Sequence, residues 1–269
     1  MTPPEPPPEM IDPGRGLAPV PLFLHGPGSS ALDVGWRLAE QGRLPPFGSL
    51  LLESQTAGRG RAGRLWVSPA GHVYGALRLP PGPPFDSPGA ALGLAWFLAE
   101  ALGDFGWPLA IKWPNDLLYA GGKAAGILLE ARRGLLLAGV GLNLQAPPPE
   151  VERRPGQPPA SALPGAPPPR TLWPELVKKI ILLYNGKVEP WTMAELAAAA
   201  EKRLWRFRRR IQVLRPAAEP PAAADRLTGV LAGLGPDGQL LLDDGGGGLR
   251  RIWSGTVMNL DMEKDEPEN

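Results

Sequence analysis

The chain has 269 residues with 28 basic and 27 acidic side chains and no cysteine. Its length supports one large domain with a substantial core, its near-neutral charge argues against DNA or RNA as a partner, and the missing thiols exclude disulfides, zinc–thiolate sites and cysteine nucleophiles. The sequence shows neither a secretory signal nor the eighteen consecutive apolar residues of a membrane span, so we expect a cytoplasmic protein that does not enter the membrane.

The chain begins with a proline-rich segment, residues 1–20, which we expect to be a flexible arm because clustered prolines lack amide donors for a sheet. Apolar residues at helical spacing then predict a helix over residues 29–40. Residues 48–55 form a predicted buried strand that runs directly into a glycine-rich charged loop, and residues 67–79 contain the strand that returns from it.

The middle of the chain combines one apolar helix with short strands. The helix is expected to start after Ser87 and to end near Gly103 or Gly106, and apolar residues on nearly every side of it indicate burial. Three glycine-punctuated apolar segments follow, which we expect to be adjacent strands of one sheet: residues 109–113, 126–131 and 134–144.

The last third of the chain changes from helices to short strands. After a second proline-rich tract, residues 147–170, apolar spacing predicts two helices over 171–184 and 193–207. Four short apolar runs then indicate a small barrel, with a hairpin turn at residues 235–238. The acidic tail at residues 263–269 is expected to be solvated.

The strongest chemical signal is a glycine-rich arginine loop, GRGRAGR at residues 58–64, followed by Trp66. Guanidinium groups match the oxygens of phosphates, and glycine lets the main chain approach a polyanion closely. Each such charge-assisted contact contributes about 1.5–3 kcal/mol. A solvated basic loop or an RNA-binding segment would show the same pattern, so the loop alone leaves these alternatives open.

Two further motifs place polar side chains beside apolar strands. In KWPND, Lys112 ends a predicted strand just before a proline turn, which directs an ammonium group into a cleft; a simple strand-end lysine is the alternative. In GVGLN, at residues 139–143, the glycines leave room for a ligand and Asn143 offers a donor and an acceptor. Two glycines packed in a sheet would explain this second pattern equally well.

Taken together, the motifs resemble the biotin protein ligase family, also called biotin–acetyl-CoA carboxylase ligases. The shared patterns are GRGRxxRxW, KWPND, GK followed by GILLE, and GxGxN, and they span residues 53–143. The resemblance implies an α+β fold with a mixed sheet flanked by helices, similar to class II aminoacyl-tRNA synthetases, and a small C-terminal SH3-like β-barrel. It also implies a catalytic domain over residues 21–207 and the barrel over residues 208–262.

The resemblance further implies a two-step reaction. Biotin and ATP form biotinyl-5′-adenylate and pyrophosphate, and biotin then passes to a lysine in the biotin carboxyl carrier domain of a carboxylase. ATP and biotin are the expected substrates, and Mg²⁺ accompanies the nucleotide phosphates. No protein nucleophile is needed, because catalysis consists mostly of positioning and cation placement. A homodimer is compatible with the resemblance, and no motif decides it.

Residue roles are carried over from the resemblance. Lys112 is expected between the biotin carboxylate and the α-phosphate, and it is the predicted catalytic residue together with Arg59 and Arg61, whose loop closes over the adenylate. Gln55 is expected at the ureido ring of biotin, and Trp66 is a candidate stacking surface for adenine. The expected biotin-binding residues are Ser29, Ser30, Ala31, Gln55, Arg59, Gly60, Arg61 and Lys112. The expected ATP-binding residues are Arg61, Arg64, Trp66, Asn115, Asp116, Lys123 and Asn143. Asp116 is the one candidate metal ligand.

One position departs from the family pattern. A Ser-Thr-Asn triplet usually opens the first helix, and the matching residues here are Ser29, Ser30 and Ala31. Alanine makes no side-chain hydrogen bond. If the asparagine contacts biotin directly, affinity suffers here; if it only braces the turn, the loss is about 1 kcal/mol or less, and we favour this second interpretation.

Two other functions are compatible with parts of the sequence. Lipoate or octanoate transfer would keep the superfamily, but the combination of GRGRxxR with KWPND favours biotin. A non-catalytic biotinyl-AMP sensor acting on DNA would need a DNA-binding domain, and only residues 1–20 precede the catalytic region. The basic segment 202–215 fits a carrier-docking or nucleic-acid patch, or a solvated helix end followed by an edge strand. His25 and His72 are not expected to form a metal or base pair, although His72 follows the arginine loop closely enough for a substrate contact.

Overall fold

The computed structural model describes residues 7–146, 155–215 and 225–260. They form four α-helices, thirteen strands and a short 3₁₀ turn at Arg61–Gly63. In chain order the elements are β1 (Glu9–Ile11), β2 (Val20–His25), α1 (Ala31–Glu40), β3 (Ser49–Leu52), β4 (Val73–Leu79), α2 (Ala90–Gly103), β5 (Ala110–Lys112), β6 (Asp116–Tyr119), β7 (Gly122–Arg132), β8 (Leu135–Leu142), α3 (Pro169–Tyr184), α4 (Met193–Glu201), β9 (Arg210–Arg215), β10 (Asp225–Leu234), β11 (Leu240–Asp243), β12 (Leu249–Ile252) and β13 (Thr256–Asn259).

Two compact units share these elements, and they interleave along the sequence. The first unit consists of the described residues within Met1–Gly82, Ala124–Pro147 and Ala162–Pro190. The second consists of those within Pro83–Lys123, Pro148–Ser161 and Trp191–Asn269. The sequence instead suggested a division between residues 207 and 208, and that domain boundary stays a prediction.

A mixed sheet forms the centre of the first unit. Its strands lie in the order β1-β2-β3-β4-β8-β7. Strands β2 and β3 run parallel, whereas the other neighbouring pairs are antiparallel. The outermost strand, Glu9–Ile11, falls inside the segment predicted to be a flexible arm, and for these residues that prediction is wrong. They contain no proline, so their amides pair with β2, and Ile11 is buried.

Helices α1 and α3 cover opposite faces of this sheet. Successive strand residues point to opposite faces, and the adjacent residues Gly75 and Ala76 of β4 therefore contact different helices. Gly35 of α1 packs over Ala76, while the indole of Trp173 in α3 packs over Gly75. A mixed sheet flanked by helices confirms the predicted fold class. Among the described residues, none of the helices has the length and apolar composition of a membrane span.

Replacing Gly75 with alanine is expected to destabilise the protein by about 1–3 kcal/mol, the usual cost of overpacking a core. A Cβ atom at this position would lie 2.4 Å from Cζ2 of Trp173, which is fully buried and cannot move aside cheaply. Gly26→Ala is the matched control, because no atom lies within 4 Å of the added methyl group. Urea denaturation of the two variants measures the difference, and equal midpoints would contradict this packing argument.

The second unit contains a five-stranded antiparallel sheet in the order β12-β11-β10-β9-β13. This sheet confirms the small C-terminal β structure, and the predicted turn at residues 235–238 closes with a 2.9 Å hydrogen bond from the Gly238 amide to the Gly235 carbonyl. The final apolar run is two strands and not one. Gly255 interrupts it with a φ of +151°, a conformation that L side chains rarely adopt.

Two predictions in this unit are wrong in detail. Helix α4 ends at Glu201 and does not continue to Phe207, because the Arg203 carbonyl and the Trp205 amide form hydrogen bonds with Ile111 instead of extending the helix. Strand β6 was missed, and it is the antiparallel partner of β5. Because β6 lies between segments 109–113 and 126–131 along the chain, these two segments are not consecutive strands.

Candidate active site

The arginine loop is a tight hairpin in the first unit. The Gly60 amide donates to the Arg64 carbonyl at 2.7 Å, and the Trp66 amide donates to the Gly58 carbonyl at 2.9 Å. Gly58 must lack a side chain, because a Cβ atom there would lie 2.5 Å from the Trp66 carbonyl oxygen and from Ser68 Oγ. The turn at Arg61–Gly63 forms the tip of the hairpin, and Arg64 is exposed beside it.

Arg59 points from this loop into a group of carboxylates. Its Nη2 atom donates to Asp33 Oδ1 at 2.7 Å and to Glu130 Oε1 at 3.0 Å, and its Nε atom donates to the same Glu130 oxygen at 3.2 Å. The Arg59 guanidinium holds the pKa of Asp33 below its ordinary value. Asp33 also accepts a 3.2 Å hydrogen bond from the hydroxyl of Ser29. The sequence had assigned roles to Arg59 and Ser29 but none to these carboxylates.

Gln55 braces the start of α1. Its Oε1 atom accepts the Ala31 amide at 2.8 Å, and its Nε2 atom donates to Ser68 Oγ at 2.9 Å. Ser30, the N-cap residue, makes no capping hydrogen bond through its side chain, so Gln55 satisfies an amide that a cap would otherwise hold. The methyl group of Ala31 belongs to the buried apolar cluster of the first unit. Gln55 keeps one amide hydrogen and one carbonyl lone pair beyond these two bonds.

The two glycines of GVGLN lie on one face of β8 and accommodate protein side chains. A Cβ atom on Gly139 would lie 2.9 Å from Leu32, and one on Gly141 would lie 2.7 Å from the indole of Trp66. The room they leave is therefore filled from α1 and from the arginine loop, as in the packed-glycine alternative. The main chain of Asn143 is held at both ends, through bonds to Ala124 and Leu163.

In the second unit, Lys112 lies in a compact charged cluster. It is 2% exposed, and its Nζ atom is 3.8 Å from Asp116 Oδ2. The other oxygen of Asp116 accepts a 2.7 Å ion pair from Lys123. Lys112 and Asp116 face each other as the last cross-strand pair of the β5–β6 hairpin, whose turn contains Asn115. Two ammonium groups share one carboxylate, so these three side chains carry a net charge of +1.

The strand that carries Lys112 pairs with β6 along one edge and is held along the other edge by residues 203 and 205 of the same unit. The Ile111 amide donates to the Arg203 carbonyl at 2.7 Å, and the Ile111 carbonyl accepts the Trp205 amide at 2.9 Å. The buried indole of Trp113 donates to the Gly238 carbonyl at 2.9 Å. Lys112 Nζ also lies 6.0 Å from the ring centre of Trp205, a cation–π contact. The lysine is thus held in one orientation.

The described residues do not fit a metal held by the protein itself. No group of three or more His, Asp or Glu side chains in this part of the chain is arranged around a common point. Asp116, the candidate ligand, is neutralised by Lys123 at 2.7 Å. Mg²⁺ commonly takes most of its ligands from substrate phosphates and water, so such an ion would depend on the nucleotide.

His72 is buried next to the end of β8, and its Nδ1 atom accepts the Leu144 amide at 3.2 Å. Burial lowers the pKa of His72 below its ordinary value of about 6.5. The unfolded chain therefore binds a proton that the folded chain does not, and stability should fall as the pH drops below about 6.5. The loss attributable to this residue is at most about 1.4 kcal/mol per pH unit.

The variant His72→Asn keeps an acceptor but does not titrate in this range, so its stability should depend less on pH. Urea denaturation of parent and variant between pH 7.5 and about 5.5 measures the difference. Parallel pH profiles would contradict the assignment of this acid sensitivity to His72.

The structure gathers the predicted residues into two groups. In the first unit it brings together the arginine loop, Gln55, the start of α1 and the GVGLN strand; in the second unit it brings together Lys112, Asp116 and Lys123. Sequence reasoning missed Asp33, Glu130 and Trp205. Asp33 and Glu130 carry a charge opposite to that of Arg59, but the sequence does not show that these three residues lie close together.

The chain is similar to known proteins of one family. The family model of the biotin/lipoate A/B protein ligase family matches residues 43–145. A biotin–acetyl-CoA-carboxylase ligase from Mycobacterium tuberculosis is 33% identical over 214 residues, which are 73% of this chain and 73% of that protein. A protein of the same description from Paracoccus denitrificans is 42% identical over 125 residues, 43% of this chain and 52% of that relative. The matched segment thus spans about half the length of the second relative.

Solved structures agree with the fold. A biotin protein ligase from Aquifex aeolicus in complex with biotin and ATP superposes with a TM-score of 0.68 at 25% identity, covering 88% of this chain and 97% of that one. A mutant of the same Aquifex protein in complex with biotin gives a TM-score of 0.71 at 24% identity, with 88% and 98% coverage.

Proposed function

The chain belongs to the biotin protein ligase family, and from this premise we propose that it is an ATP-dependent ligase acting on a biotin carboxyl carrier domain. The supporting observation is Lys112, an ammonium group with 2% exposure that ends its strand in a cluster of net positive charge. Two anions, a carboxylate and a triphosphate, must meet in adenylation. A fixed, desolvated cation is the group that lowers the cost of bringing them together.

In the first half-reaction, a carboxylate oxygen of biotin attacks the α-phosphorus of ATP. The bond from that phosphorus to the bridging oxygen breaks, and pyrophosphate leaves with the electron pair. Lys112 neutralises the negative charge that accumulates on the α-phosphate, while Lys123 and Asn115 bind the phosphate groups. Asp116 keeps both ammonium groups in place. Mg²⁺ bound to the nucleotide phosphates would supply further charge neutralisation there.

In the second half-reaction, the neutral amine of a carrier lysine attacks the acyl carbon of the adenylate. An amide bond forms, AMP leaves, and the amine proton is released to solvent. Lys112 again stabilises the departing phosphate. Gln55 binds the ureido ring with its remaining hydrogen-bonding capacity, Trp66 and Asn143 serve the adenine side, and Arg61 and Arg64 cover the adenylate.

The location and the partner follow from this chemistry. The proposal places the protein in the cytoplasm, where it would find ATP, with a biotin carboxyl carrier domain as its partner.

Pyrophosphate release from ATP is the test of the proposed function. Purified protein is incubated with ATP and with biotin, with lipoate or with neither, and we expect release only with biotin. Release with lipoate would instead support the lipoate or octanoate alternative. Binding of biotinyl-AMP without any release would support a non-catalytic sensor and reject the ligase proposal.

A further inference from the structure

Arg59 contacts carboxylates from two parts of the first unit. Its guanidinium lies between two structural elements of the first unit, with Asp33 on α1 and Glu130 on β7. The side chains of Asp33, Arg59 and Glu130 are 39%, 30% and 21% exposed, so the bonds are partly shielded from water. We refer to these three residues as the Arg59 anchor.

Glu130 is itself fixed by further contacts. Its Oε2 atom accepts the indole Nε1 of Trp36 at 2.8 Å and a guanidinium nitrogen of Arg132 at 2.8 Å. The Arg132 guanidinium in turn lies 4.7 Å from the ring centre of Trp36. Trp36 is 3% exposed and belongs to the buried cluster of the first unit. The carboxylate that holds Arg59 is therefore tied to the core and does not move freely with the loop.

The charges of the anchor set it apart from the Lys112 cluster. The three anchor residues carry a net charge of −1, and Arg132, which also pairs with Glu130, brings this group of four side chains to neutrality. An anion that approached Arg59 would have to compete with two carboxylates already at 2.7 and 3.0 Å. This arrangement suits a residue that holds the loop better than one that carries substrate charge.

We propose that Asp33 and Glu130 are positioning residues, which hold the hairpin at residues 58–66 against α1 and β7 through Arg59 and so keep the adenylate from escaping. Arg59 pairs with Leu65 within this hairpin, so fixing Arg59 fixes the base of the turn that presents Arg61. In this role Arg59 acts through loop position and not through contact with the reacting atoms. The consequence for catalysis rests on the proposed function, whereas the consequence for loop motion does not.

Two measurements on Glu130→Gln, Asp33→Asn and the double variant test the proposal. The first is hydrogen exchange of the Gly60 and Trp66 amides without any ligand, which should be about tenfold faster in the double variant, because charge-assisted bonds hold the loop closed. The second is release of labelled adenylate after rapid dilution, which should accelerate by a similar factor of about ten. Adenylate formation at saturating ATP and biotin should change little. The variants should therefore change KM and the retention of the adenylate but leave kcat unchanged.

A double-mutant cycle separates positioning from general destabilisation. In an Arg59→Gln background, adding Glu130→Gln should have no further effect on exchange or release, because the anchor is already broken. Glu40→Gln, which removes an exposed carboxylate from the same helix as Asp33, is the matched control and should behave as the parent. If Glu130→Gln weakens folding, the more exposed Asp33→Asn supplies the same test, with thermal unfolding as the check.

The outcomes are distinct. Unchanged amide exchange in the double variant overturns the proposal, and so do effects of Glu130→Gln that persist fully in the Arg59→Gln background. If the parent protein forms no adenylate at all, the proposed function fails, and the exchange measurement still decides whether the carboxylates hold the loop.

Discussion

Replacing Lys112 with alanine is expected to lower biotin-dependent pyrophosphate release by a factor of about 10²–10³, the usual effect of losing one preorganised electrostatic contact. The ammonium group is 2% exposed and held by a strand that is bonded on both sides, so water cannot take its place without reorganisation. Both half-reactions develop charge on the same phosphate, and transfer to the carrier should fall with adenylation. Single-turnover pyrophosphate release measures the first step directly.

The fold should tolerate Lys112→Ala, so a loss of activity in this variant can be assigned to the missing ammonium group and not to unfolding. Asp116 keeps Lys123 at 2.7 Å when Lys112 is removed, so no carboxylate is left without a counter-charge. The matched control is Lys202→Ala, an exposed lysine of the same unit, which should retain parental activity in the absence of carrier protein. Near-normal turnover of Lys112→Ala at an unchanged melting temperature would remove Lys112 from the mechanism.

The local pattern of apolar residues predicted most of the helices and strands, but it did not predict which side chains contact one another. The helices over 29–40 and 171–184 were evident because their apolar residues recur at helical spacing, and burial of such a face is decided locally. Strand β6 was missed because it has only four residues and begins at Asp116, directly after the proline turn that follows Lys112. Helix α4 was predicted too long because its C-terminal residues bond to Ile111, a tertiary choice that local propensity does not encode.

In the candidate site, too, the sequence predicted the types of residue but not their contacts. The motifs GRGRAGR and KWPND pointed to cations for an anionic substrate. They did not distinguish Arg59, which pairs with two carboxylates, from Lys112, which shares the carboxylate of Asp116 with a second lysine. The number of carboxylates around each cation depends on which distant residues the fold brings into contact with it. The glycines of GVGLN had two explanations, and the side chains of Leu32 and Trp66 above them supply the choice.

Arg61→Gly is expected to release the adenylate about 10–150 times faster than the parent, which corresponds to the loss of a charge-assisted contact of about 1.5–3 kcal/mol. Arg61 begins the 3₁₀ turn at the tip of the hairpin, followed by Ala62 and Gly63 with φ of +55° and +69°. Its side chain is thus presented by a turn of fixed shape, whose base is held by Arg59. Rapid dilution of the preformed adenylate complex gives the release rate.

Arg133→Gly is the control that separates a specific contact from the loss of any turn arginine. Arg133 is exposed, lies in the turn between β7 and β8, and has a φ of +48°, which glycine adopts without strain, so the substitution removes a guanidinium without straining the fold. It should leave adenylate retention unchanged. Arg61→Lys should recover part of the retention, because the ammonium keeps the charge but not the planar fork. Equal release rates in Arg61→Gly and the parent would mean that the loop tip does not cover the adenylate, even if the Arg59 anchor holds the loop in place.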